Sequence, residues 1–584
     1  MLFCFCLFCR MKKLLIAVLL LACSHVHAQL PVTRYETSKG TESVTYYEAI
    51  AAWKQIDKAS PLVQMLTMGA TDAGEPLHLV LVSSDASFQP QQWKQKNKVV
   101  LLINNGIHPG EPDGIDASIS MVKNIITKKL PLPSNVVLAI IPVYNIGGSL
   151  NRTPFYRIDQ NGPTEKGSRG NSQNLDLNRD FIKCDSREAR SFAQIFHFVQ
   201  PDIFLDNHVS NGADYQHVMT LLTTQHNKLG GVMGEYLNKT FEPAIYKSMK
   251  EKGYDLIPYV NNFGDKPENG WGAYWDGPRY SSGYTALFGT FSFVPETHML
   301  KPYAQRVDAT YKLMQSFIEF AGTNAATIKT LRKQQQQNFI IQQQFPLGFS
   351  ADRSQFTELT FKGYAAEQKT SNISGLPRLF YNHDKPFEVT MKFYNFFTPK
   401  TMIERPKAYI IPQGWWKVVE LLQLNNVQMQ RLAKDTSMQV EVYMIEDYKS
   451  SPRPYEWHHI NTDVKTNKQT QTIRFRKGDW YIPMNQTANH FLIQVLEPTG
   501  EDSYFTWNFF DPILGQKEGY SAYAFEEKAE LFLQQNPAVK QQLDLQRNTD
   551  TAFAKNGRAP LNFVYQNSPY AEPGFMRYPV YRVR

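Results

Sequence analysis

Four short, continuous apolar runs constrain the fold of this chain more than any other feature of its sequence. The runs cover residues 98–104, 135–143, 201–205 and 290–294. Apolar runs of this length without alternation are typical of strands buried on both faces of a sheet. Segments with helical periodicity, such as residues 113–126, lie between them. The pattern predicts an α/β fold, with a mixed, largely parallel sheet flanked by helices.

The length of the chain indicates more than one domain, because 584 residues exceed an ordinary single core. Residues 29–325 are predicted to form the first domain, which a helix over 303–321 closes. A glutamine-rich stretch at 334–344 marks a change of composition, and residues 326–350 are predicted as a helix or linker. Residues 351–584 are predicted as a β-rich α+β region, to which the sequence assigns no role.

The N-terminus has the features of an export signal. Two lysines follow Met11, residues 14–23 are apolar, and Val26-His27-Ala28 offers small residues for cleavage. This pattern predicts a signal peptide over residues 1–28 and a mature protein that begins at Gln29, in the periplasm or outside the cell. An alternative stays open: Leu20-Leu21-Ala22-Cys23 approximates a lipidation signal, which would leave a lipid anchor on Cys23. No later stretch is apolar enough to span a bilayer.

Charge and cysteine content exclude several classes of function. The formal net charge is +8, and loss of the leader removes three basic residues and no acidic one. Because no basic cluster remains, nucleic-acid binding is not expected. Cys184 is the one cysteine outside the leader, so no intrachain disulfide is expected in the mature chain. Without an adjacent histidine, Cys184 is interpreted as a buried or incidental thiol rather than a nucleophile.

Candidate metal ligands stand at the ends of two predicted strands. His108-Pro-Gly-Glu111 follows the run 98–104 directly, and His208 follows the run 201–205. Open α/β sheets place ligands at the carboxyl ends of their strands. Two histidines and one carboxylate are a common ligand set for catalytic Zn²⁺, which keeps a fourth position for water. Asp206 is either a support for His208 or a surface carboxylate.

The order of these motifs resembles that of zinc carboxypeptidases of the carboxypeptidase A type. His108-Pro-Gly-Glu111, then Asn178-Arg179 and then His208 follow one another as in that family, and the resemblance covers about residues 40 to 325. It implies a carboxypeptidase-like fold, one Zn²⁺ per chain held by His108, Glu111 and His208, and a peptide substrate with a free C-terminus.

The resemblance also implies roles for other residues. Asn178 and Arg179 would bind the terminal carboxylate of the substrate, a task that suits a bidentate guanidinium. Glu296 would act as general base and then general acid for a metal-activated water. Arg169, with Arg157 as the second choice, would stabilise the oxyanion.

The sequence departs from the family pattern between residues 261 and 284. A tyrosine that closes over the substrate has three candidates, Tyr274, Tyr280 and Tyr284, and Tyr284 is taken as the predicted substrate-binding residue. The residue that sets side-chain specificity has no clear position. The segment 261–282 is rich in glycine, tryptophan and tyrosine, which suggests a loop over the site. Arg279 in this loop is either a contact for an acidic substrate group or an ordinary loop residue.

Two other functions remain open at this point. The same metal site would serve a zinc amidase that acts on cell-wall peptides or acylated amino acids. A non-catalytic peptide- or glycan-binding protein is the other alternative, since the C-terminal tail is rich in aromatic residues such as Tyr565 and Tyr570. Retention of all three ligand candidates together with Glu296 favours an enzyme.

Overall fold

The structure, a computed structural model, describes residues 29–261 and 266–584. The predicted signal peptide, with the alternative lipidation site at Cys23, lies outside the described residues. The strands are β1 Val63–Gly69, β2 Leu77–Ser83, β3 Val99–Asn105, β4 Val136–Ile141, β5 Arg152–Thr153, β6 Lys166–Gly167, β7 Ile203–Ser210, β8 Met219–Thr223, β9 Ile257–Pro258, β10 Trp271–Gly272, β11 Phe291–His298, β12 Gln344–Ala351, β13 Thr357–Thr370, β14 Pro377–Tyr394, β15 Phe397–Glu404, β16 Ala408–Ile411, β17 Gln430–Arg431, β18 Thr436–Ser450, β19 Asn461–Phe475, β20 Trp480–Pro483 and β21 Tyr581–Val583.

Helices connect and cover these strands. They are α1 Arg34–Thr37, α2 Tyr46–Ala59, α3 Pro90–Gln95, α4 Asp113–Ile126, α5 Ile146–Leu150, α6 Arg187–Val199, α7 His226–Leu229, α8 Gly231–Tyr236, α9 Glu242–Glu251, α10 Ser281–Ala286, α11 Tyr303–Ile341, α12 Trp416–Leu424, α13 Asn489–Leu496, α14 Ala522–Gln535, α15 Pro537–Thr549, α16 Thr551–Lys555 and α17 Arg558–Gln566. Their starts follow local chemistry: at α2, for example, Thr45 and Glu48 form a reciprocal capping box.

A mixed eight-stranded sheet with the order β1-β2-β4-β3-β7-β11-β8-β9 is the centre of the N-terminal half. Strands β4, β3, β7 and β11 run parallel to one another. β2 and β8 join this group in antiparallel orientation. All residues of β3, β4 and β7 are buried, as expected for strands covered by helices on both faces. The predicted fold class is therefore confirmed.

The chain divides into two compact units, at a boundary that differs from the predicted one. The first unit contains the described residues up to Gln336 together with Ser350–Thr398, and the second contains Gln337–Phe349 and Pro399–Arg584. The prediction placed residues 351–398 with the C-terminal region. In the structure β13 and β14 form a hairpin that joins β10 in a three-stranded sheet, and its Phe361 packs with Tyr215 and Trp271 in one core.

The predicted helix or linker at 326–350 is mostly helical, because α11 continues beyond a kink at Asn324 to Ile341. The strand β12 then follows from Gln344. None of the helices among the described residues has an apolar stretch long enough to cross a lipid bilayer.

The second unit has its own architecture, a six-stranded sheet in the order β17-β20-β16-β21-β18-β19. Ile410, Val442 and Tyr581 belong to the core on this sheet. A separate apolar cluster holds the helices α14, α15 and α17 together through Phe525, Leu543 and Leu561. The β-rich α+β character predicted for the C-terminal region is confirmed for this unit.

Candidate metal centre and active-site cavity

The turn after β3 brings two of the predicted ligands to the edge of the sheet. Gly106 adopts a left-handed conformation (φ 66°) where the chain leaves the strand, which glycine tolerates without strain. The N–H of Glu111 then donates to the carbonyl of His108 (2.8 Å), which closes a tight turn. This turn places both side chains on the same side, directly before α4 begins at Asp113.

The three predicted ligands converge on one point. One ligand atom from each of His108, Glu111 and His208 can be chosen so that all lie within 4.8 Å of one another. Nδ1 of His208 is 3.0 Å from Glu111 Oε2, and Nδ1 of His108 is 3.3 Å from Oε1. All three residues are buried. Two imidazoles and one carboxylate at this spacing fit a single Zn²⁺.

Carboxylates lie behind both imidazoles. Nε2 of His108 is 3.0 Å from Asp176 Oδ1, and Nε2 of His208 is 3.2 Å from Asp206 Oδ2. Asp206 in turn accepts a hydrogen bond from Asn104 Nδ2 (2.9 Å). Carboxylates in this position fix the imidazole tautomer and orient its other nitrogen toward a metal. Nδ1 of His108 makes no hydrogen bond, so its lone pair is available, and the residues fit a resident zinc ion.

Electrostatics keep the ligand carboxylate ionised. Burial opposes ionisation, but Arg157 and His108 outweigh it and hold the pKa of Glu111 well below its usual range. Asp176 is similar: burial acts to raise its pKa, and His108 with the neighbouring arginines lowers it far more. A deprotonated carboxylate is the form that binds a cation.

Glu296 lies beside the metal ligands, as predicted. It stands on β11 and is the partner of His208 in the parallel ladder with β7. Burial raises the pKa of its carboxyl to about 8, with His208 acting against the rise and Glu111 adding to it. A carboxyl with such a raised pKa, placed next to a candidate metal centre, is typical of a general base or acid.

Both candidate arginines border the same cavity, with different partners. Arg157 donates from Nη1 to Glu111 Oε1 (2.7 Å) and from Nη2 to the carbonyl of Val209 (3.1 Å). Arg169 donates from Nε to Asp176 Oδ2 (3.0 Å), and its side chain is 49% exposed. Arg157 is therefore hydrogen-bonded to a candidate metal ligand, whereas Arg169 is bound to Asp176 and its Nη1 lies 3.9 Å from Glu111 Oε1.

Asn178 and Arg179 occupy the 3-10 turn Leu177–Arg179. Asp176 caps this turn by accepting from the N–H of Asn178 (2.9 Å). The guanidinium of Arg179 lies over the ring of Tyr280, 4.7 Å from its centroid. Since Asp176 also faces His108, the turn is fixed relative to the metal ligands. The sequence did not single out Asp176, although it lies inside the Asn-Leu-Asp-Leu-Asn-Arg motif.

The prediction for Tyr284 needs correction. Tyr284 is fully buried on α10 and packs against Phe181, Phe196 and Phe288 rather than lining the cavity. The two other candidates, Tyr274 and Tyr280, do line it. The two tyrosines differ because Tyr280 is the extended residue before α10 (φ −89°, ψ 157°), whereas Tyr284 lies inside the helix, where its side chain is buried.

The cavity around these residues has a volume of about 510 Å³. Besides Tyr274, Tyr280 and the predicted residues, it is lined by Val209, Ser210, Asn211, Leu222, Tyr259, Asp276, Ser281, Ser282 and Val294. Part of the segment 261–282 thus forms one wall, as expected, but residues 262–265 lie outside the described part of the chain. Arg279 is not among the lining residues. Leu222 and Tyr259 were missed because they lie on or beside β8 and β9, two strands that the sequence pattern did not indicate.

Comparisons with known proteins agree with this geometry. A family model described as zinc carboxypeptidase (peptidase M14) matches residues 49–216. Carboxypeptidase 2 of Trichophyton equinum is 21% identical over 429 residues, covering 70% of this chain and 73% of the fungal protein. Carboxypeptidase 2 of Trichophyton rubrum is 20% identical over 438 residues, covering 72% and 75%.

Solved carboxypeptidase structures also resemble this chain distantly. Carboxypeptidase A of Helicoverpa armigera has a TM-score of 0.37 at 15% identity, covering 50% of this chain and 77% of the insect protein. A metallo-carboxypeptidase of Burkholderia cenocepacia has a TM-score of 0.35 at 16% identity, covering 50% and 70%.

Proposed function

We propose that this chain, which belongs through residues 49–216 to the zinc carboxypeptidase family, hydrolyses the last peptide bond of peptides with a free C-terminus. The observation that carries the proposal is the convergence of His108, Glu111 and His208 within 4.8 Å beside Glu296 in the same cavity. This arrangement supplies a metal centre and a base at one place, as hydrolysis of an amide by water requires.

The reaction divides into binding and proton transfer. Asn178 and Arg179, which line the cavity, hold the terminal carboxylate of the substrate through the bidentate geometry of a guanidinium. Zn²⁺ held by His108, Glu111 and His208 would lower the pKa of a water molecule and polarise the scissile carbonyl. Glu296 would accept a proton from the attacking water and then deliver it to the leaving amine.

The oxyanion that develops at the carbonyl needs a donor. Arg169 is the proposed donor, because its guanidinium borders the cavity and is half-exposed. Arg157 is the other candidate, but it already donates to Glu111 and to the carbonyl of Val209. A donor aimed at developing charge contributes to catalysis, whereas a donor committed to a metal ligand orients that ligand.

A peptide-library digest with the mature protein tests the proposal. Peptides should lose single residues from the C-terminus, and this trimming should stop when a chelator removes the metal and return when Zn²⁺ is restored. Matched peptides with C-terminal amides are the control, since they lack the carboxylate that Arg179 would bind. Internal cleavage, or preference for cell-wall peptides with D-centres, would contradict a carboxypeptidase and favour another zinc hydrolase.

We also propose that the protein is exported. The support is the charged and apolar pattern of residues 11–28. N-terminal sequencing of the processed protein tests this proposal. A start at Gln29 supports simple cleavage, lipid on Cys23 supports a lipoprotein, and an intact start inside the cell contradicts export.

A further inference from the structure

We propose that a buried ion pair outside the cavity positions the groups that react inside it. The pair consists of Asp113 and Arg306, and the hydroxyl of Thr297 binds to it. All three residues are buried, and none of them is a lining residue of the cavity. This role depends on the proposed function, which makes Glu296 the base and Glu111 a zinc ligand. It goes beyond that function by adding residues that act through these two.

Asp113 links the turn of the metal ligands to the strand of the base. It is the first residue of α4, two positions after Glu111. Its Oδ2 accepts a hydrogen bond from Thr297 Oγ1 (2.5 Å), and Thr297 follows Glu296 directly on β11. Because neighbouring residues of a strand point to opposite faces, this bond holds the backbone of the base while the side chain of Glu296 lines the cavity.

Arg306, near the start of α11, fixes the carboxylate of Asp113. Nε donates to Asp113 Oδ2 (3.2 Å) and Nη2 donates to Oδ1 (3.4 Å). The side chain of Arg306 is 0% exposed and that of Asp113 is 2% exposed. A two-point contact between a planar guanidinium and a carboxylate restricts the orientation of both groups. The hydroxyl of Thr297 therefore binds an acceptor whose position is fixed.

The remaining donors of Arg306 hold the loop that carries Arg157. Nη1 donates to the carbonyls of Asn161 (2.8 Å) and Lys301 (2.7 Å), and Nη2 also donates to that of Gly162 (2.9 Å). With the two bonds to the carboxylate, all five N–H groups of the guanidinium have an acceptor. A lysine at this position, with three N–H groups on one atom, could not make this set of contacts.

The loop from Arg157 to Gly162 extends this restraint to Glu111. Gln160 donates from Nε2 to the carbonyls of Gly110 (2.8 Å) and Gly162 (3.0 Å), and its Oε1 accepts from Arg157 Nε (2.5 Å). Arg157 in turn donates from Nη1 to Glu111 Oε1 (2.7 Å). None of the residues of this loop belongs to a helix or strand. Side-chain bonds, rather than a backbone ladder, therefore determine where the Arg157 guanidinium lies.

The cost of burial favours a positional role for this ion pair. Removing two opposite charges from water can offset their attraction, so apolar side chains of the same volume often stabilise a fold as well as a buried ion pair does. Here the pair fixes two distances, one from the ligand turn to the strand of the base and one from the loop to Glu111. Catalysis is sensitive to such distances, since a displacement of about 1 Å can lower the rate about 10²-fold.

Thr297→Val tests the connection to the base, because it removes the hydroxyl and leaves the ion pair in place. We expect kcat on the best peptide to fall about tenfold, with KM and the zinc dissociation constant within about twofold of wild type. Thr290→Val is the matched control: Thr290 is buried just before the same strand, and its hydroxyl donates to the carbonyl of Pro201 (3.0 Å). Equal kcat values of the two variants, whatever their denaturation midpoints, would overturn the inference.

Arg306→Lys tests the connection to Glu111, because it keeps a cation beside Asp113 and removes donors to the loop. We expect zinc to bind the apoprotein about tenfold more weakly, as after loss of a group that orients a metal ligand. Arg332→Lys is the matched control, since Arg332 is a buried arginine of the same helix that binds Asp202 and two backbone carbonyls. Equal zinc affinities of the two variants would overturn the inference.

The two measurements also distinguish this role from the proposed function. If wild type cleaves no peptide, the proposed function is wrong, and the zinc affinities of Arg306→Lys and Arg332→Lys then decide whether the ion pair positions Glu111. If wild type trims peptides and each variant matches its control, the proposed function stands and the positioning role is wrong. Thr297→Val retains the ion pair, so it decides the question if Arg306→Lys does not fold.

Discussion

Glu296 and the metal ligands perform separable tasks, which substitution of single residues can distinguish. Glu296→Gln removes the proton acceptor but keeps the shape of the side chain and leaves His108, Glu111 and His208 in place. We expect kcat to fall by about 10²–10⁴, with one zinc still bound per chain. Kinetics on the best peptide and metal analysis measure the two effects. Glu251→Gln, at an exposed position, is the control, and wild-type kcat in Glu296→Gln would disprove the role.

Glu188 offers a prediction about pH at a distance from the cavity. It is fully buried, and Asn171 donates to both Glu188 and Asp72. Burial, together with the charge of Asp72, raises the pKa of Glu188 to about 7 from an ordinary value of 4.5. The folded state therefore holds a proton that the unfolded chain releases at lower pH.

The sign of the pH effect follows from this difference. The stabilising contribution of protonated Glu188 is complete below pH 4.5 and is lost as pH rises to about 7. Relative to Glu188→Gln, which stays neutral, wild type should lose up to about 1.4 kcal/mol of unfolding free energy per pH unit in this window. Denaturant titrations at several pH values measure the difference. A constant difference from pH 4 to 8 would contradict the raised pKa.

Single residues also show what the sequence could and could not reveal about the site. The proximity of His108, Glu111, His208 and Glu296 was predictable, because each comes after an apolar run and the carboxyl ends of parallel strands meet at one edge of a sheet. The burial of Tyr284 was not predictable. Tyr274, Tyr280 and Tyr284 lie within a short segment, and only the local turn and helix determine the direction of each side chain.

At the level of elements, the hairpin of β13 and β14 supports the segment that follows the His208 strand. Tyr215 pairs with Gly363 of the hairpin. Gln216 donates from its backbone N–H to the carbonyl of Lys362 and from Nε2 to the carbonyl of Gly363 (both 2.9 Å). Phe361 is buried in the shared core. The hairpin therefore holds the chain next to β7, although it is more than a hundred residues away in sequence.

A pair of substitutions in this hairpin tests that support. Phe361→Ala should destabilise the first unit by about 3–5 kcal/mol, the cost of removing a buried aromatic side chain. Ile373→Ala, at a position that is 97% exposed near the hairpin turn, should change stability by less than about 0.5 kcal/mol. Denaturant midpoints of the two variants measure the contrast. Similar small effects would mean that the hairpin does not stabilise the unit.

The elements explain why the fold class was predictable and the unit boundary was not. Continuous apolar runs identify buried strands locally, so β3, β4, β7 and β11 were found. The hairpin's assignment depends on its pairing with β10, which has only two residues, and on packing against Tyr215. Contacts between segments so far apart leave no periodic signal in either one.

At the scale of the whole molecule, each apolar core cluster of the described residues falls within one of the two units. All three metal ligands lie in the first unit. In the second, Arg582 pairs with the buried carboxylates of Glu441 (2.6 Å) and Glu497. Each unit therefore contains a site at which its stability can be changed selectively.

Metal removal should act on one unit only. A ligand that binds the folded state stabilises it by RT ln(1 + [L]/Kd), about 4 kcal/mol at a thousandfold excess over Kd, so chelation should lower the melting temperature of the first unit. Arg582→Met should instead lower that of the second, because the buried Glu497 would lose its cation and keep the hydroxyls of Tyr409 and Tyr443 as partners, at a cost of about 3–5 kcal/mol. Calorimetry of wild type and variant, each with zinc and with chelator, assigns the transitions. The Arg582→Met variant identifies the unfolding transition of the second unit. If chelation shifted that transition and no other, the cation would be bound in the second unit. The metal centre at His108, Glu111 and His208 would then be disproved.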